Sequence, residues 1–496
     1  MYKYDQYETP LFDALKTYVK NDTVPFHVPG HKKGVGADQE FKEFIGENAF
    51  KIDVTVFKSV DSLHHPTGPI KRAQQLAADA YGSDAAFFSM HGTSGAIQAM
   101  IMSVVSSGDK IIIPRNVHKS ITAGIILSGA IPVYMQPEFD KKVGIAHGIT
   151  PETVKNALEE NKDAKALLII NPTYYGVATN LKEIADIVHS YDIPLIVDEA
   201  HGPHLGFNDK LPMSAMEAGA DICSQSTHKI IGALTQCSLL QVRTKRVDAA
   251  RVAQVLSLLQ TTSPSYILMA SLDCARRQIA TEGEALLEKA ISLTSFARDE
   301  INKIPGLYCF GNEILNNPGV YSLDPTKVTI TCRDLGITGY DLDMILSNKY
   351  HIQMELSDLY NILAVGSFGD TAESFDKLLT ALREISAEYY GKGNKKVDFI
   401  DIPPIPKQEL IPREAFNSVK SRVLISESIG MISGEFLLAY PPGIPILCPG
   451  ERITKEIVDY IKQLKEAGLY VQGTEDPEVN YIKVVKEEDA VYISVE

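Results

Sequence analysis

The run Ser226-Thr227-His228-Lys229 begins 28 residues after Asp198, which lies in Ile196-Val197-Asp198-Glu199-Ala200-His201-Gly202. A lysine amine taken out of water can form an imine with an aldehyde. A carboxylate at the end of an apolar strand can hold a pyridine nitrogen protonated. The turn Gly92-Thr93-Ser94-Gly95 can cradle a phosphate on its amides and hydroxyls where a helix begins. Imine, pyridinium and phosphate are the attachment points of pyridoxal 5'-phosphate (PLP), and the three features together point to it. Lys229 would carry the cofactor until a substrate amine displaces it. Asp198 would keep the ring an electron sink while a bond at the substrate Cα breaks. Which bond breaks is set by geometry, not by spacing.

Other residues gather around these. Ser226 adds a hydroxyl three residues before Lys229. His91, His118, His201, His204 and His228 make the region rich in imidazole. His118 follows the apolar run Ile111–Ile113 and can stack on the ring. His201 is placed to sit beside the cofactor, and His228 to contact phosphate or move protons. Asp198 as a helix cap and Lys229 as a solvated surface lysine are the alternatives for each taken alone. The run Asp198-Glu199-Ala200-His201-Gly202-Pro203-His204 invites a zinc reading. It is not His-Glu-x-x-His and no cysteine completes a set, so no metal is expected.

The elements needed to position these groups are legible as alternation. Apolar strands are predicted at 85–89, 110–113, 131–135, 166–170, 194–197, 221–224 and 236–242. Helices are predicted at 69–81, 94–106, 120–128, 150–160 and 181–190. Continuous apolar strands alternating with helices predict a mostly parallel sheet covered on both faces. In such a sheet ligands bind at the carboxyl ends of strands, where Asp198 lies. A helix at 10–19 and a Pro/Gly-rich stretch at 25–34 read as an arm or a surface loop. A helical zone at 249–304 precedes a smaller α+β region, with strands at 327–331 and 352–354 and helices at 339–346 and 375–389. Gly391-Lys392-Gly393-Asn394-Lys395-Lys396 and Ile402-Pro403-Pro404-Ile405-Pro406 mark a boundary. A last module holds the turn Tyr440-Pro441-Pro442-Gly443-Ile444-Pro445 and a helix at 454–467. The expected division is an arm and linker over 1–60, a large PLP-binding domain over 61–305, a small α+β domain over 306–390 and a C-terminal domain over 391–496.

The 496 residues exceed one ordinary core, and the net charge of −15 argues against a broad nucleic-acid footprint. No stretch has the length of a membrane span, and no signal peptide is seen at the N-terminus. Six scattered cysteines without CxxC spacing are expected to be reduced thiols in a cytoplasm.

The motifs Gly92-Thr93-Ser94-Gly95, Asp198-Glu199-Ala200-His201-Gly202 and Ser226-Thr227-His228-Lys229 resemble those of the bacterial PLP-dependent ornithine/lysine/arginine decarboxylases. So do Asp61-Ser62-Leu63-His64-His65-Pro66-Thr67-Gly68-Pro69-Ile70 and Gln353-Met354-Glu355-Leu356-Ser357-Asp358, so that the resemblance spans nearly the whole chain. It implies an α/β fold of the aspartate-aminotransferase type (fold type I) and PLP on Lys229, with Asp198 on the ring nitrogen. It implies phosphate contacts from Thr93, Ser94 and Ser226, His118 stacked on the ring, and active sites at a dimer interface. The larger inducible members often carry tryptophan where this chain has His201, which leaves its role open. They also carry an N-terminal wing domain. This chain looks like the short, biosynthetic type, for which a homodimer or dimer-based tetramer is expected. Short members often convert L-arginine to agmatine for polyamine synthesis; lysine or ornithine as substrate, or another PLP reaction such as transamination, are the alternatives. The distal cation of a basic amino acid needs a carboxylate. Glu435 is the leading candidate, before Glu427 and Asp358, and arginine can pair with it in a bidentate way that lysine cannot.

Overall fold

The computed structural model describes residues 2–392, 400–440, 444–467 and 470–486. Seven strands carry most of the predicted alternation: β1 Ala85–Ser89, β2 Lys110–Pro114, β3 Ile131–Met135, β4 Ala166–Ile170, β5 Leu195–Asp198, β6 Ile222–Gln225 and β7 Ser238–Val242. The chain divides into two compact units. The first contains Met1–Ser103, Ile196–Lys289 and Ser367–Gly369; the second contains Val104–Leu195, Ala290–Gly366 and Asp370–Glu496.

In the first unit β5 and β6 run parallel, with Ile196 opposite Ile222. β7 runs antiparallel to both β6 and β1. Its reversal departs from a purely parallel pattern and has a consequence for chemistry. The chain leaves β6, makes the 226–237 turn and returns beside the same strand, and Lys229 sits on that turn. In the second unit β2 lies between β4 and β3, all parallel. The strands are buried runs because both faces of such a sheet are covered.

The Asp61–Ile70 motif serves construction in the first unit. The Asp61 carboxylate accepts the amide N–H groups of Ser62, Thr67, Gly68, Ile70 and Lys71. This fastens the start of the Pro69–Tyr81 helix, whose first amides have no partner within the helix. Burial raises the Asp61 carboxyl, but these amides outweigh it and hold it below the usual carboxylate range. The arm is fastened as firmly. Asp79 accepts the amides of Lys3 and Tyr4, Arg276 donates to the carbonyls of Gln6 and Glu8, and Asp273 receives the amides of Leu11 and Phe12.

Several expectations need correction. Residues 352–354 are not a strand. The Gly339–Tyr350 helix ends at His351 in the left-handed conformation, and Ile352 N–H donates back to the Leu346 carbonyl at 3.0 Å. The backbone is thereby spent on the helix end, and pairing starts at Leu356–Ser357 against Asn361–Val365. The zone at 249–304 is two helices, Ala249–Leu259 and Tyr266–Ile301, separated by a stretch containing Pro264. Two short helices, Gln39–Ile45 and Glu47–Ile52, lie where a linker was expected. Residues 393–396 of the boundary run Gly391–Lys396 and the turn residues 441–443 lie outside the described residues. Among the described residues no helix is long and apolar enough to cross a membrane. All six cysteines are free thiols.

Candidate active site

The first unit brings most of the expected residues together at the ends of β5 and β6. Two backbone bonds tie the loops there: Glu199 N–H to Ser224 carbonyl at 3.0 Å and Ser226 N–H to Ala200 carbonyl at 3.3 Å. The loop after Asp198 is therefore held against the loop that carries Lys229. As a result Lys229 Nζ stands 2.7 Å from His201 Nε2. The loop is fixed further by Tyr81, whose hydroxyl donates to the Pro203 carbonyl at 3.1 Å and whose ring meets Phe207 edge-on at 5.0 Å.

The hydroxyls converge at the other side of the turn. Thr93 Oγ1 lies 2.5 Å from Ser226 Oγ and 2.7 Å from Ser238 Oγ, all three buried. They adjoin the N-terminus of the Gly92–Val104 helix, where amides point outward. The chain enters that helix through Gly92 at φ +66°, and a Cβ on Gly95 would lie 2.7 Å from the Cβ of His91, so both glycines serve the turn. Ser94 is exposed on the same first turn. Ser238 was not anticipated; its only signal was a small polar residue opening an apolar strand. His228 lies half-buried beside Lys229, its Nδ1 2.9 Å from the Cys237 carbonyl.

Asp198 is 4% exposed, and its Oδ1 accepts the Ala200 amide at 3.1 Å. Burial raises its carboxyl; the Ala200 amide and the charge of Lys229 pull it back, leaving it at about 6. Glu199 points away from this site, as alternation requires. It is fully buried, accepts Ala215 N–H at 2.6 Å and Gln225 Nε2 at 2.7 Å, and burial pushes it to about 8. Lysine, strand-end acid and hydroxyl cluster at a helix N-terminus are the donor set PLP requires, and the under-compensated acid suits a cationic ring nitrogen. Among the described residues no group of three or more His, Cys, Asp or Glu is placed to hold a metal ion.

The second unit holds the remaining candidates. His118 caps the Lys119–Ser128 helix, with Nδ1 2.8 Å from Ser120 Oγ. Glu435 accepts the amides of Glu475 at 2.9 Å and Lys483 at 2.7 Å. Asp358 is half-buried and receives the Tyr175 hydroxyl at 2.6 Å; loss of solvent around the carboxyl raises it. Glu427 ends a short 3-10 turn at Ile425–Glu427. Sequence reading also missed a buried pair here: Arg115 grips both oxygens of Glu451 and donates to the Ile446 carbonyl at 2.9 Å.

Comparison with known proteins gives the family and the fold. Residues 9–374 match the Orn/Lys/Arg decarboxylase major domain, and 400–495 match the Orn/Lys/Arg decarboxylase C-terminal domain. An arginine decarboxylase of Bacillus anthracis is 52% identical over 488 residues, covering 98% of this chain and 99% of the relative. The lysine decarboxylase of Francisella novicida superposes with a TM-score of 0.85 at 26% identity, over 96% of this chain and 81% of that one. A ureidoglycine-glyoxylate aminotransferase of Bacillus subtilis superposes at 0.53 with 16% identity, over 66% of this chain and 87% of that one. The fold is the aspartate-aminotransferase-like fold type I.

Proposed function

The chain belongs to the Orn/Lys/Arg decarboxylase family, and from that membership we propose that it is a PLP-dependent decarboxylase converting L-arginine to agmatine and CO2 in polyamine biosynthesis. The observation that carries the choice of arginine is the 52% identity to an arginine decarboxylase along almost the full length of both chains.

Bound PLP supplies the electron sink that lets the Cα–carboxylate bond break. The chain's residues do the rest. Lys229 holds the cofactor and gives way to the substrate amine. Asp198 keeps the ring nitrogen protonated; its burial costs less once a cation faces it. Thr93, Ser94 and Ser226, with Ser238, receive the phosphate, and His228, adjoining Lys229 in the chain, contacts the phosphate or moves protons. His118 is assigned to the ring face on the strength of the family motif. Glu435 receives the distal guanidinium. Its oxygens already accept two amides, and each has a further lone pair to offer. Glu435→Gln should raise KM for arginine about ten-fold with a smaller change in kcat, as loss of one charged partner implies; an unchanged KM removes Glu435 from the site.

The same reading gives an arm over 1–60 and domains over 61–305, 306–390 and 391–496. Separate buried clusters, one from Ala297 to Ile385 and one from Leu437 to Val484, support the last two. It also gives a cytoplasmic homodimer or dimer-based tetramer with active sites at the dimer interface. The support is the exposed apolar stretch of the arm, where Phe26 is 94%, Val35 87% and Phe44 89% exposed. Light scattering that finds only monomers would remove this part.

The deciding experiment incubates PLP-loaded protein separately with L-arginine, L-lysine and L-ornithine. Agmatine with equimolar CO2 is expected from arginine. Cadaverine or putrescine in its place moves the substrate, and a keto acid without CO2 refutes decarboxylation.

A further inference from the structure

We infer that His201 is a catalytic residue: its Nε2 takes the proton that Lys229 must shed before its amine can bond, and returns one when that amine is released. The inference rests on the reading of Lys229 as the attachment point of the cofactor.

The chemistry sets the requirement. A lysine ammonium has no lone pair and cannot attack a carbonyl carbon. One Nζ–H bond must break, and a nearby base must accept the proton. Imidazole ordinarily titrates near neutrality, so it can take and return a proton without a large free-energy step in either direction. His201 Nε2 lies 2.7 Å from Lys229 Nζ, a distance at which the proton moves directly along a hydrogen bond. The charge then passes from Nζ to the imidazole, and the neutral amine keeps its electron pair for the new bond to the aldehyde carbon, whose oxygen leaves as water.

The contact is built into the backbone. Ser226 N–H bonds to the Ala200 carbonyl at 3.3 Å, and Lys229 N–H closes the turn onto the Ser226 carbonyl at 3.1 Å. Gly202 N–H returns to the Glu199 carbonyl at 2.9 Å, and Tyr81 pins the next carbonyl, that of Pro203. His201 is 4% exposed, so bulk water competes little for the lysine proton. Titratable groups close to the pair include Asp198 on β5, with Cys223 near it, and, along the chain, His204 on the same loop and His228 next to Lys229. Asp198 and Lys229 interact as opposite charges, which favours the cation on Nζ until the base accepts the proton. A tryptophan at this position could stack but could not accept a proton, so the imidazole gives this chain a proton route of its own.

The test follows uptake of PLP by the full-length cofactor-free protein, read from the visible absorption of the bound cofactor. With the parent protein the uptake rate should rise with pH as an imidazole becomes neutral. His201→Gln keeps a hydrogen-bond acceptor but cannot titrate. That variant should lose this limb of the profile and take up PLP about 100-fold more slowly at pH 7.5, the scale of a general base, while reaching the same final occupancy. Asp198→Asn should keep the limb, which separates the imidazole from the carboxylate. In His201→Ala, added free imidazole should restore the rate in proportion to its concentration. Uptake by His201→Gln within two-fold of the parent, or no response of His201→Ala to imidazole, overturns the inference. A parent protein that never develops the visible band would instead overturn the reading of Lys229 itself.

Discussion

Glu451 in the second unit and Asp198 in the first are both buried carboxylates, and the chain treats them in opposite ways. Glu451 is wholly covered and its charge is answered internally. Arg115 holds both oxygens, and the Cys448 amide donates to Oε2 at 2.7 Å. Burial alone would lower the Arg115 guanidinium, but Glu451 outweighs it and the cation is held more tightly than usual. Asp198 has the Ala200 amide and the influence of Lys229, and burial still leaves it at about 6. A carboxylate that only holds loops together is matched in charge and in hydrogen bonds by its own chain. One left short of compensation at a strand end is set to receive a cation from outside.

The largest break in this contrast is Lys229→Ala. It should remove the visible band of bound PLP and lower CO2 release by roughly 10^3- to 10^6-fold, the range seen when a nucleophile is deleted. Unfolding by urea should be little changed, since the side chain is half-buried at a turn. Normal turnover in this variant would end the assignment. Arg115→Met should do the reverse. It leaves Glu451 charged and unpaired and should cost about 3–5 kcal/mol in urea unfolding. Arg115→Met with Glu451→Leu should recover most of that loss; if the double variant is as unstable as the single one, the pair is not what holds this region. Asp198→Asn tests the other side. It should lower kcat about 10^2- to 10^3-fold, as expected for loss of one charged stabiliser, without destabilising the cofactor-free protein. A loss of stability as large as that of Arg115→Met would erase the distinction between the two carboxylates.

The distinction also explains what could be read from the sequence. Strands at 85–89, 131–135 and 166–170 and the helix at 181–190 are found at their predicted bounds. Each is a short apolar or amphipathic run closed by turn residues, so its limits are local. Ser226, Lys229, Asp198 and Thr93 could be singled out as candidates for the same reason: each follows closely on such a run. Arg115 and Glu451 were not, because they lie 336 positions apart and each is an ordinary surface type when read alone. Ser238 reaches Thr93 only because β7 reverses beside β6, and no local pattern encodes that reversal. Residues 352–354 misled because the alternation Ile352-Gln353-Met354 reads the same whether it pairs or follows a helix end.

The smallest expected effect lies one residue from Asp198. Glu199 sits on the other face of the strand, fully buried, and burial pushes its carboxyl from 4.5 to about 8. The folded chain therefore binds this proton more tightly than the unfolded chain does. The stability it contributes is complete below about 4.5 and is lost as pH rises through about 8. Asp198 acts in the same direction, but its loss is over by about pH 6. Between pH 6 and pH 8 the cofactor-free protein should thus lose up to about 1.4 kcal/mol per pH unit through Glu199 alone. Glu199→Gln keeps the shape and the hydrogen bond accepted from Ala215 but binds no proton. Urea unfolding of parent and variant at pH 6, 7, 8 and 9 should show the variant gaining on the parent up to about pH 8, with a constant difference beyond it. A difference that does not change with pH would mean that Glu199 is ionised when folded, and that its surroundings compensate a carboxylate charge as fully as those of Glu451 do.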